Sequence, residues 1–376
     1  MKENLAKKVT LSILAGAVLF TTGSVWAADV TGQTTIIDSG THNSIINGAK
    51  ISGGTDSATY NTVKVSGDST VVKKSITGAF IFGGGTGNVN NNTVEISGGT
   101  LGSNVYGGQT YGSGDANYNT VTISGGTFDG SSQQIYGGYT GSGDAKGNVI
   151  NISGGTFNNE TMIVAASAGS GSANYNTINL FGNPNLEKVD LCGRFNKGDT
   201  GTNNVLNIKF TNSTGNNIKS IKYFDVINFD NLTWNPDSSQ SVIKVDSVSL
   251  QNAKINAWIT NKIEAMGKNQ AMTLIENTSG NWGTGIFDTT NSKVYIGVSS
   301  VATNDAKIAM DSEQKKVQIF TQDSIQNGSA YVPPSQSLII TKDASDKYNY
   351  KVNDGTNDIA TGTADNVVDL VSKKRE

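Results

Sequence analysis

The residues that most often carry out acid–base chemistry are scarce in this chain. Among 376 residues there is one histidine, His42, and the only arginines are Arg194 and Arg375. Histidine is the most frequent general base, and arginine is the usual clamp for an anionic substrate. The composition therefore predicts a protein that is not an enzyme and that needs no cofactor.

Carboxylates are the next residues that could do chemistry. Asp115 and Asp144 end two Gly-Ser-Gly-Asp turns and stand 29 residues apart, so we expect them to stack in successive repeats. Two stacked carboxylates would be the start of a Ca²⁺ site, because calcium prefers several oxygen ligands. The next turn, Gly169-Ser-Gly-Ser172, has no acid. We therefore predict polar turns and no metal site.

Tyrosines are the candidates for contact with a ligand. If the ligand is a host glycan or a host surface protein, the rings beside polar turns would make the contacts: Tyr111, Tyr118, Tyr139 and Tyr175. The alternative for each ring is packing within or between repeats, and this alternative is strongest for Tyr106 and Tyr136. The net charge of −3 and the absence of basic patches argue against a nucleic-acid partner.

The elements that would position these residues form a repeat. Copies of Asn-Thr-Val-x-Ile-Ser-Gly-Gly-Thr, some degenerate, follow one another at spacings of 31, 27, 29, 28 and 28 residues. They start at Asn61, Asn92, Asn119, Asn148, Asn176 and Asn204. A fixed period of this length is typical of a solenoid, in which each repeat buries its apolar face only against its neighbours.

Each repeat begins with a predicted β-strand. In all six copies, the residues two and four places after the asparagine are aliphatic, and the residue three places after it is polar or charged. This alternation is the pattern of a strand with one buried face. The Gly-Gly pair that follows allows a positive φ at a corner. Stacked repeats would align the six leading asparagines in a side-chain amide ladder at a corner of the coil.

A second strand is predicted about half a repeat later. Its copies are Ile81-Phe82-Gly83-Gly84, Val105-Tyr-Gly-Gly108, Ile135-Tyr-Gly-Gly138, Ile163-Val-Ala-Ala166 and Leu191-Cys-Gly193. Two strands, and room for a short third, fit one coil of a right-handed parallel β-helix, where like strands stack about 4.8 Å apart. Cys192, the only cysteine, falls in the column of Phe82, Tyr106, Tyr136 and Val164, and is predicted to be a buried filler.

The chain divides into four segments. Residues 1–27 are predicted to be a signal peptide, with basic Lys2, Lys7 and Lys8, an apolar stretch over residues 9–20 and a small-residue cleavage box ending at Ala27. Residues 28–210 carry the β-helix repeats. Residues 211–300, where Trp234, Trp258 and Trp282 appear, are an irregular β-rich continuation or cap, or else a separate small β domain. Residues 301–376 are a β-rich C-terminal segment or linker.

These motifs together resemble the passenger regions of autotransporter-type outer-membrane proteins of diderm bacteria. The resemblance rests on the leader ending Val25-Trp-Ala27, the Asn-Thr-Val-x-Ile-Ser-Gly-Gly repeats, the Gly-Ser-Gly-Asp-Ala turns and Ala271-Met-Thr-Leu-Ile275, and it covers residues 1–300. It implies export by outer-membrane translocation machinery and display by a C-terminal β-barrel. The residues after 300 are too few and too polar for such a barrel, so the chain departs from the family pattern there.

The sequence thus predicts an exported, non-catalytic β-helix at the cell surface, in the outer membrane or outside the cell. Its function would be adhesin-like, with repeated polar turns making many weak contacts that add through multivalency. Two alternatives stay open. One is a polysaccharide-active β-helix enzyme, which would need clustered carboxylates and a lysine on one face. The other is a purely structural spacer of the cell envelope.

Overall fold

The structure is a computed structural model. It describes residues 29–195, 201–210, 215–236, 240–260, 270–280, 282, 287–296, 302, 306–311, 313, 315–321, 337–342, 348–353 and 358–364. The predicted signal peptide lies outside the described residues. The described residues form an all-β parallel solenoid, which confirms the predicted fold class.

The first strand of each repeat builds a ten-stranded sheet, sheet 1. Its strands are Thr34–Ile37, Thr62–Val65, Thr93–Ile96, Thr120–Ile123, Val149–Ile152, Thr177–Gly182, Val205–Phe210, Val226–Leu232, Lys254–Ile259 and Lys293–Ile296. Identical positions pair in register, as where Val121 lies between Val94 and Ile150. The two aliphatic columns of the six repeats are at most 1% exposed, so they form the main core.

The second strand builds sheet 2, which has eleven strands. Nine are parallel: Ile46–Ser52, Ile76–Phe82, Val105–Thr110, Gln133–Thr140, Thr161–Ala168, Leu186–Arg194, Asn216–Lys222, Ser241–Val248 and Ala271–Asn277. The short third strand also exists in five coils and forms sheet 3: Thr41–His42, Val71–Val72, Thr100–Leu101, Thr127–Phe128 and Thr156–Phe157. Two-residue pairings join Val30–Thr31 to Ala58–Thr59, and Ala145–Lys146 to Ala173–Asn174.

The predicted register of one coil in sheet 2 is wrong. Val105 pairs with Ile76 and Tyr106 with Thr77, so Ile81-Phe82 is not equivalent to Val105-Tyr106. Phe82 therefore does not belong to the column of Cys192. Both registers would place a glycine opposite Gly107, but Gly83 and Gly84 have φ angles of 86° and 79° and turn the chain after the strand. Gly78 stays within the strand, where a Cβ would lie 2.2 Å from the carbonyl oxygen of Gly107.

Some sheet 2 strands contribute to two cores, and Ile76–Phe82 is one of them. Ile76 packs in the main core, whereas Ala79 and Ile81 of the same strand pack in a small second core with Val89 and Ala116. Ile76 and Ala79 are three positions apart and both face a core, so the alternation of inward and outward side chains shifts by one residue between them. Phe80 and Phe82 consequently face outward. Strict alternation from Ile76 would have turned both rings inward.

The solenoid continues beyond residue 210 with less regular coils. The step between paired residues of sheet 1 is 21 from Val205 to Val226, 28 from Val226 to Lys254 and 37 from Asn256 to Lys293. The strands Ala306–Met310 and Lys316–Thr321 form an antiparallel hairpin that pairs with Ala271–Asn277. A separate antiparallel sheet consists of Ser337–Lys342, Tyr348–Asn353 and Asp358–Ala364.

Candidate ligand-binding surfaces

The six asparagines that open the repeats form a continuous buried ladder. All six are 0% exposed. In a typical rung, Asn92 donates from its backbone N–H and from Nδ2 to Oδ1 of Asn119, at 3.0 and 3.1 Å. The same Nδ2 donates to the carbonyl oxygen of Ala58 at 2.9 Å. Because every rung makes these bonds, the amides replace strand hydrogen bonds where the chain turns.

The ladder ends at a charged residue. The backbone N–H of Asn204 donates to Oδ2 of Asp225 at 2.8 Å, in the place where the next asparagine would stand. A carboxylate accepts hydrogen bonds but has no NH₂ group to donate, so Asp225, unlike an asparagine, needs no carbonyl oxygen as a partner. Arg194 Nη1 lies 3.8 Å from the other oxygen of Asp225. The buried ladder is therefore complete at its distal end.

Asp115 and Asp144 stack as predicted from their turns, but their oxygens serve the backbone. The N–H of Asp144 donates to Oδ1 of Asp115 at 2.9 Å, and the N–H of Ser172 donates to Oδ1 of Asp144 at 2.9 Å. Oδ2 of Asp115 also accepts from Asn117 Nδ2 at 3.3 Å. In the described part of the chain, no three His, Cys, Asp or Glu side chains are grouped to hold a metal ion.

A second asparagine ladder lies on the outer face of sheet 1, and the sequence reasoning missed it. It runs from Asn151 to Asn256, with side-chain amides joined at 2.7 to 2.9 Å. Its members are Asn151, Asn179, Asn207, Asn228 and Asn256. The signal was present in the third position of the repeat, where asparagine recurs after Thr122. These side chains are half-buried.

Aromatic rings cover the outer face of sheet 2 and form one connected surface, the aromatic face. Its rings are Phe80, Phe82, Tyr106, Tyr111, Tyr136, Tyr139 and Phe195. Tyr106 and Tyr136 stack with their centroids 5.3 Å apart, and Tyr139 meets both edge-to-face. Tyr111 links Tyr139 to Phe80, again edge-to-face. Tyr111 is 54% exposed, whereas Tyr136 is only 2% exposed.

The four predicted contact tyrosines divide between two places. Tyr111 and Tyr139 belong to the aromatic face. Tyr118 and Tyr175 instead stand directly before ladder asparagines, and Tyr60 occupies the same position in an earlier coil. We call Tyr60, Tyr118 and Tyr175 the tyrosine row. Sequence reasoning missed Tyr60, although its place before Asn61 was a sufficient signal.

The tyrosine row has an unusual backbone. The φ angles of Tyr60, Tyr118 and Tyr175 are 57°, 56° and 57°, in the left-handed region that costs a bulky residue about 1 kcal/mol. The rings are 64%, 51% and 56% exposed, respectively. The ring of Tyr118 lies over Gly147, since a Cβ there would be 2.6 Å from two ring atoms.

Charged side chains gather farther along sheet 2, around Asp190. Lys219 Nζ lies 3.2 Å from Asp190 and 2.8 Å from Glu160, and Lys222 Nζ lies 3.9 Å from Asp190. Ser220 also donates to Asp190. Burial lowers the pKa of Lys219, but hydrogen bonds to Glu160 and Asp190 outweigh it, so the net shift is upward. Lys219 therefore stays protonated.

Cys192 and His42 contribute no reactive group to these surfaces. Cys192 is 3% exposed and packs against Val164. Burial raises the pKa of its thiol to about 12, which Lys222 opposes and Asp190 supports. His42 lies half-buried in the edge strand Thr41–His42, and its Nε2 is 2.9 Å from the carbonyl oxygen of Ser39.

Comparisons with protein-family models, with curated proteins and with solved structures find no match. Within the described ranges, no helix has the length and hydrophobicity that would let it cross a bilayer. What can be said about ligands therefore comes from the geometry of the aromatic face, the tyrosine row and the cluster around Asp190.

Proposed function

We propose that this chain is an exported, non-catalytic β-helix that acts as an adhesin-like binding module at the surface of a diderm bacterium, or after secretion from it. The leader motif and the resemblance to autotransporter-type passenger regions support export through the outer-membrane translocation machinery. The parallel solenoid supports the role of a rigid carrier, because each coil is bonded to the next along its whole length.

The aromatic face is the observation that carries the binding role. Large aromatic side chains are enriched at the centres of binding interfaces, and connected exposed apolar patches mark interaction sites. The rings of Tyr111 and Tyr139 are mounted on a hydrogen-bonded sheet and held by other rings. They lose little conformational entropy on binding, so more of the contact energy appears as affinity.

The test is binding of the purified protein to host cells, immobilised host surface proteins and a glycan array. We expect binding, and we expect Tyr111→Ala and Tyr139→Gln each to weaken it about tenfold or more. Gln109 already occupies the column of Tyr139 in the neighbouring coil, so this variant should fold. Phe181→Lys is the matched control, because it removes an exposed ring from sheet 1 and copies Lys209. Failure to bind any of these targets would favour a structural spacer.

The cluster around Asp190 gives a second candidate function, a polysaccharide-active enzyme. It places two carboxylates and two lysines on one face, near the aromatic rings. The ion pairs argue against it, since Lys219 is held protonated and cannot serve as a base. A lyase would release unsaturated sugar products, which absorb in the ultraviolet. We expect none from the wild-type protein; product formation that Asp190→Asn abolishes would establish the enzyme instead.

A further inference from the structure

The tyrosine row follows a period of two coils. The position directly before each ladder asparagine is filled in turn by Tyr60, Asn91, Tyr118, Gly147, Tyr175 and Asn203. All six residues have positive φ angles, between 56° and 66°. A ring therefore alternates with a small residue along one line of the rod. Strands in neighbouring coils lie about 4.8 Å apart, so rings recur about every 9.6 Å.

Packing explains why Gly147 is small, since the Tyr118 ring lies over it and a Cβ there would be 2.6 Å from two ring atoms, but it does not explain why a ring returns at Tyr175. Tyr106 and Tyr136 stand in adjacent coils, and their rings stack at 5.3 Å with an angle of 3° between them. Adjacent tyrosines are thus compatible with the coil spacing. Backbone conformation does not explain it either, since asparagine and glycine adopt positive φ more readily than tyrosine. Residues held in a costly conformation are often retained for a function.

The surroundings of the row are polar and contain a charge of each sign, the Asp115 carboxylate beside Asn117 and the Lys146 ammonium. Asn117 and Asn174 precede Tyr118 and Tyr175, and their Oδ1 atoms accept backbone N–H groups of the next coil at 2.7 and 2.8 Å. These hydrogen bonds fix the two side chains. Because Oδ1 faces the backbone N–H group, the NH₂ group of each side chain points away from it. Lys146 lies over the row, with its Nζ 5.6 Å from the centre of the Tyr175 ring.

We propose that the tyrosine row binds a linear, neutral β-1,4-linked polysaccharide that runs along the rod, with every second sugar stacked on a tyrosine. Successive sugars in such a chain are turned by about half a revolution, so the same sugar face recurs with each disaccharide, a length close to two coils. The NH₂ group of Asn117 donates one hydrogen to Asp115; its second hydrogen and the NH₂ group of Asn174 would donate to sugar hydroxyls. This inference rests on the proposed binding function and names the ligand of one surface.

A polyproline helix is the competing occupant, because its three residues per turn repeat at about 9.3 Å. Such peptides dock in aromatic-lined grooves. The row is a single line of rings, each more than half exposed. One flat ring face is enough for a pyranose ring, so the geometry favours the glycan.

The first experiment is calorimetric titration of the full-length protein with cello-oligosaccharides and chito-oligosaccharides of two to six sugars. Three sugars span two tyrosines and five sugars span three. We expect the affinity to rise about tenfold from the trisaccharide to the pentasaccharide, and to change little with a sixth sugar. Absence of binding by every oligosaccharide, or a smooth increase without this step, overturns the assignment.

The second experiment uses variants that copy neighbouring coils. The triple variant Tyr60→Asn, Tyr118→Asn, Tyr175→Asn introduces the residue of Asn91 and Asn203, so it should fold with unchanged or higher stability. It should lose oligosaccharide binding by about a hundredfold. The triple Tyr→Phe variant keeps the rings and should bind within about threefold of wild type, since stacking needs the ring face.

The outcomes separate this inference from the proposed function. Unchanged glycan affinity in the triple Asn variant overturns the row, as does a proline-rich peptide that binds only when the tyrosines are present. If host-cell binding depends on Tyr139 while no oligosaccharide binds, or the triple Asn variant binds oligosaccharides as well as wild type, the adhesin function stands and the row assignment fails. If the protein binds neither host targets nor oligosaccharides, both proposals fail together.

Discussion

The coils before residue 210 and the coils after it solve the same packing problem in different ways. The earlier coils, here the ladder coils, carry the buried asparagines at nearly constant spacing. The later ones, the distal coils over residues 215–296, have Asp225 and then Ala253 in that line, and their spacing varies from 21 to 37 residues. A buried amide needs a partner at a fixed place in each neighbour. Apolar side chains have no such requirement, so the distal coils tolerate irregular lengths.

The outer asparagine ladder supports this explanation. It crosses the boundary without interruption, from Asn207 to Asn228 at 2.8 Å. Its side chains are half-buried, so water can replace a missing partner. Burial, and not asparagine itself, therefore decides where each coil must supply a hydrogen-bond partner, and Asp225 supplies it across a step of only 21 residues.

The largest effect is expected in the distal coils, from Phe229→Ala. Phe229 is 0% exposed and belongs to the main core, and no asparagine of the buried ladder lies in this coil. Loss of the ring should lower the free energy of unfolding by about 4 kcal/mol, measured by guanidinium denaturation. The control Phe181→Lys should change it by about 0.5 kcal/mol or less. A loss near that of the control would mean that apolar packing is not what holds these coils.

In the ladder coils the corresponding change is Asn119→Ala. It leaves the backbone N–H of Asn92 and the carbonyl oxygen of Val89 without their side-chain partner. We expect a loss of about 3 kcal/mol, because both groups stay buried. Asn179→Ala in the half-buried outer ladder is the matched control and should cost about 1 kcal/mol or less. Equal losses from the two variants would contradict the distinction between buried and exposed ladders.

A steric change at the ladder should have a smaller effect. In Gly108→Ala the new Cβ would lie 2.7 Å from Oδ1 of Asn119, a side chain that is bonded on both sides. We expect destabilisation of about 2 kcal/mol, read from the denaturation midpoint. Gly102→Ala serves as control, since its nearest neighbour would be 3.7 Å away. Equal stability of the Gly108→Ala and Gly102→Ala variants would show that contact with the asparagine ladder is not the reason for the glycine at position 108.

The smallest effect concerns Cys192, which ends the outward column shared with Tyr136 and Val164. Its thiol pKa rises from 9.0 to about 12 on folding because of burial, so the folded state keeps a proton that the unfolded chain loses. Stability should therefore fall as the pH rises from 9 toward 12, by about 1 kcal/mol at pH 10. Cys192→Val, which copies Val164, should reduce this slope in denaturation curves at pH 8 to 10. A slope unchanged in the variant would refute the contribution of the thiol.

Some of that alkaline slope should remain in the Cys192→Val variant. The pKa of Lys219 is raised in the folded state, so its stabilising contribution is present below its unfolded value and is lost as the pH passes the folded value. The pKa of Tyr106 is raised mainly by burial, and its proton is likewise retained only in the folded state. Iodoacetamide labelling at pH 8 isolates the thiol, and native Cys192 should react about a hundredfold more slowly than the unfolded chain.

Much of the solenoid could be predicted because its signals are local. Alternation around Val121 and Ile123 shows which residues face the core, and the Gly-Gly corner gives a positive φ at Gly126. The register of Ile76–Phe82 could not be read in the same way. Two candidate pairs, Ile76-Thr77 and Ile81-Phe82, each precede a glycine, and the choice depends on the positive φ angles of Gly83 and Gly84, which end the strand.

The candidate surfaces were predictable only in part. Tyr111 and Tyr139 were identified as contact residues, but their union with Phe80 depends on the shift of faces inside the sheet 2 strand. Tyr118 and Tyr175 were grouped with them, whereas the structure sets these two in line with Tyr60. The residues of that line share a positive φ angle directly before a buried asparagine. A pattern of hydrophobicity does not indicate such a backbone conformation.

The sequence by itself determined the period, the aliphatic columns, the corner glycines and the stack of asparagines, because each depends on residue types at fixed spacing along the chain. Only the tertiary structure decided which rings meet and where the buried ladder ends. Those features depend on contacts between residues about one coil or more apart. Such contacts are set by the backbone path through the turns, and side-chain patterns constrain that path only weakly.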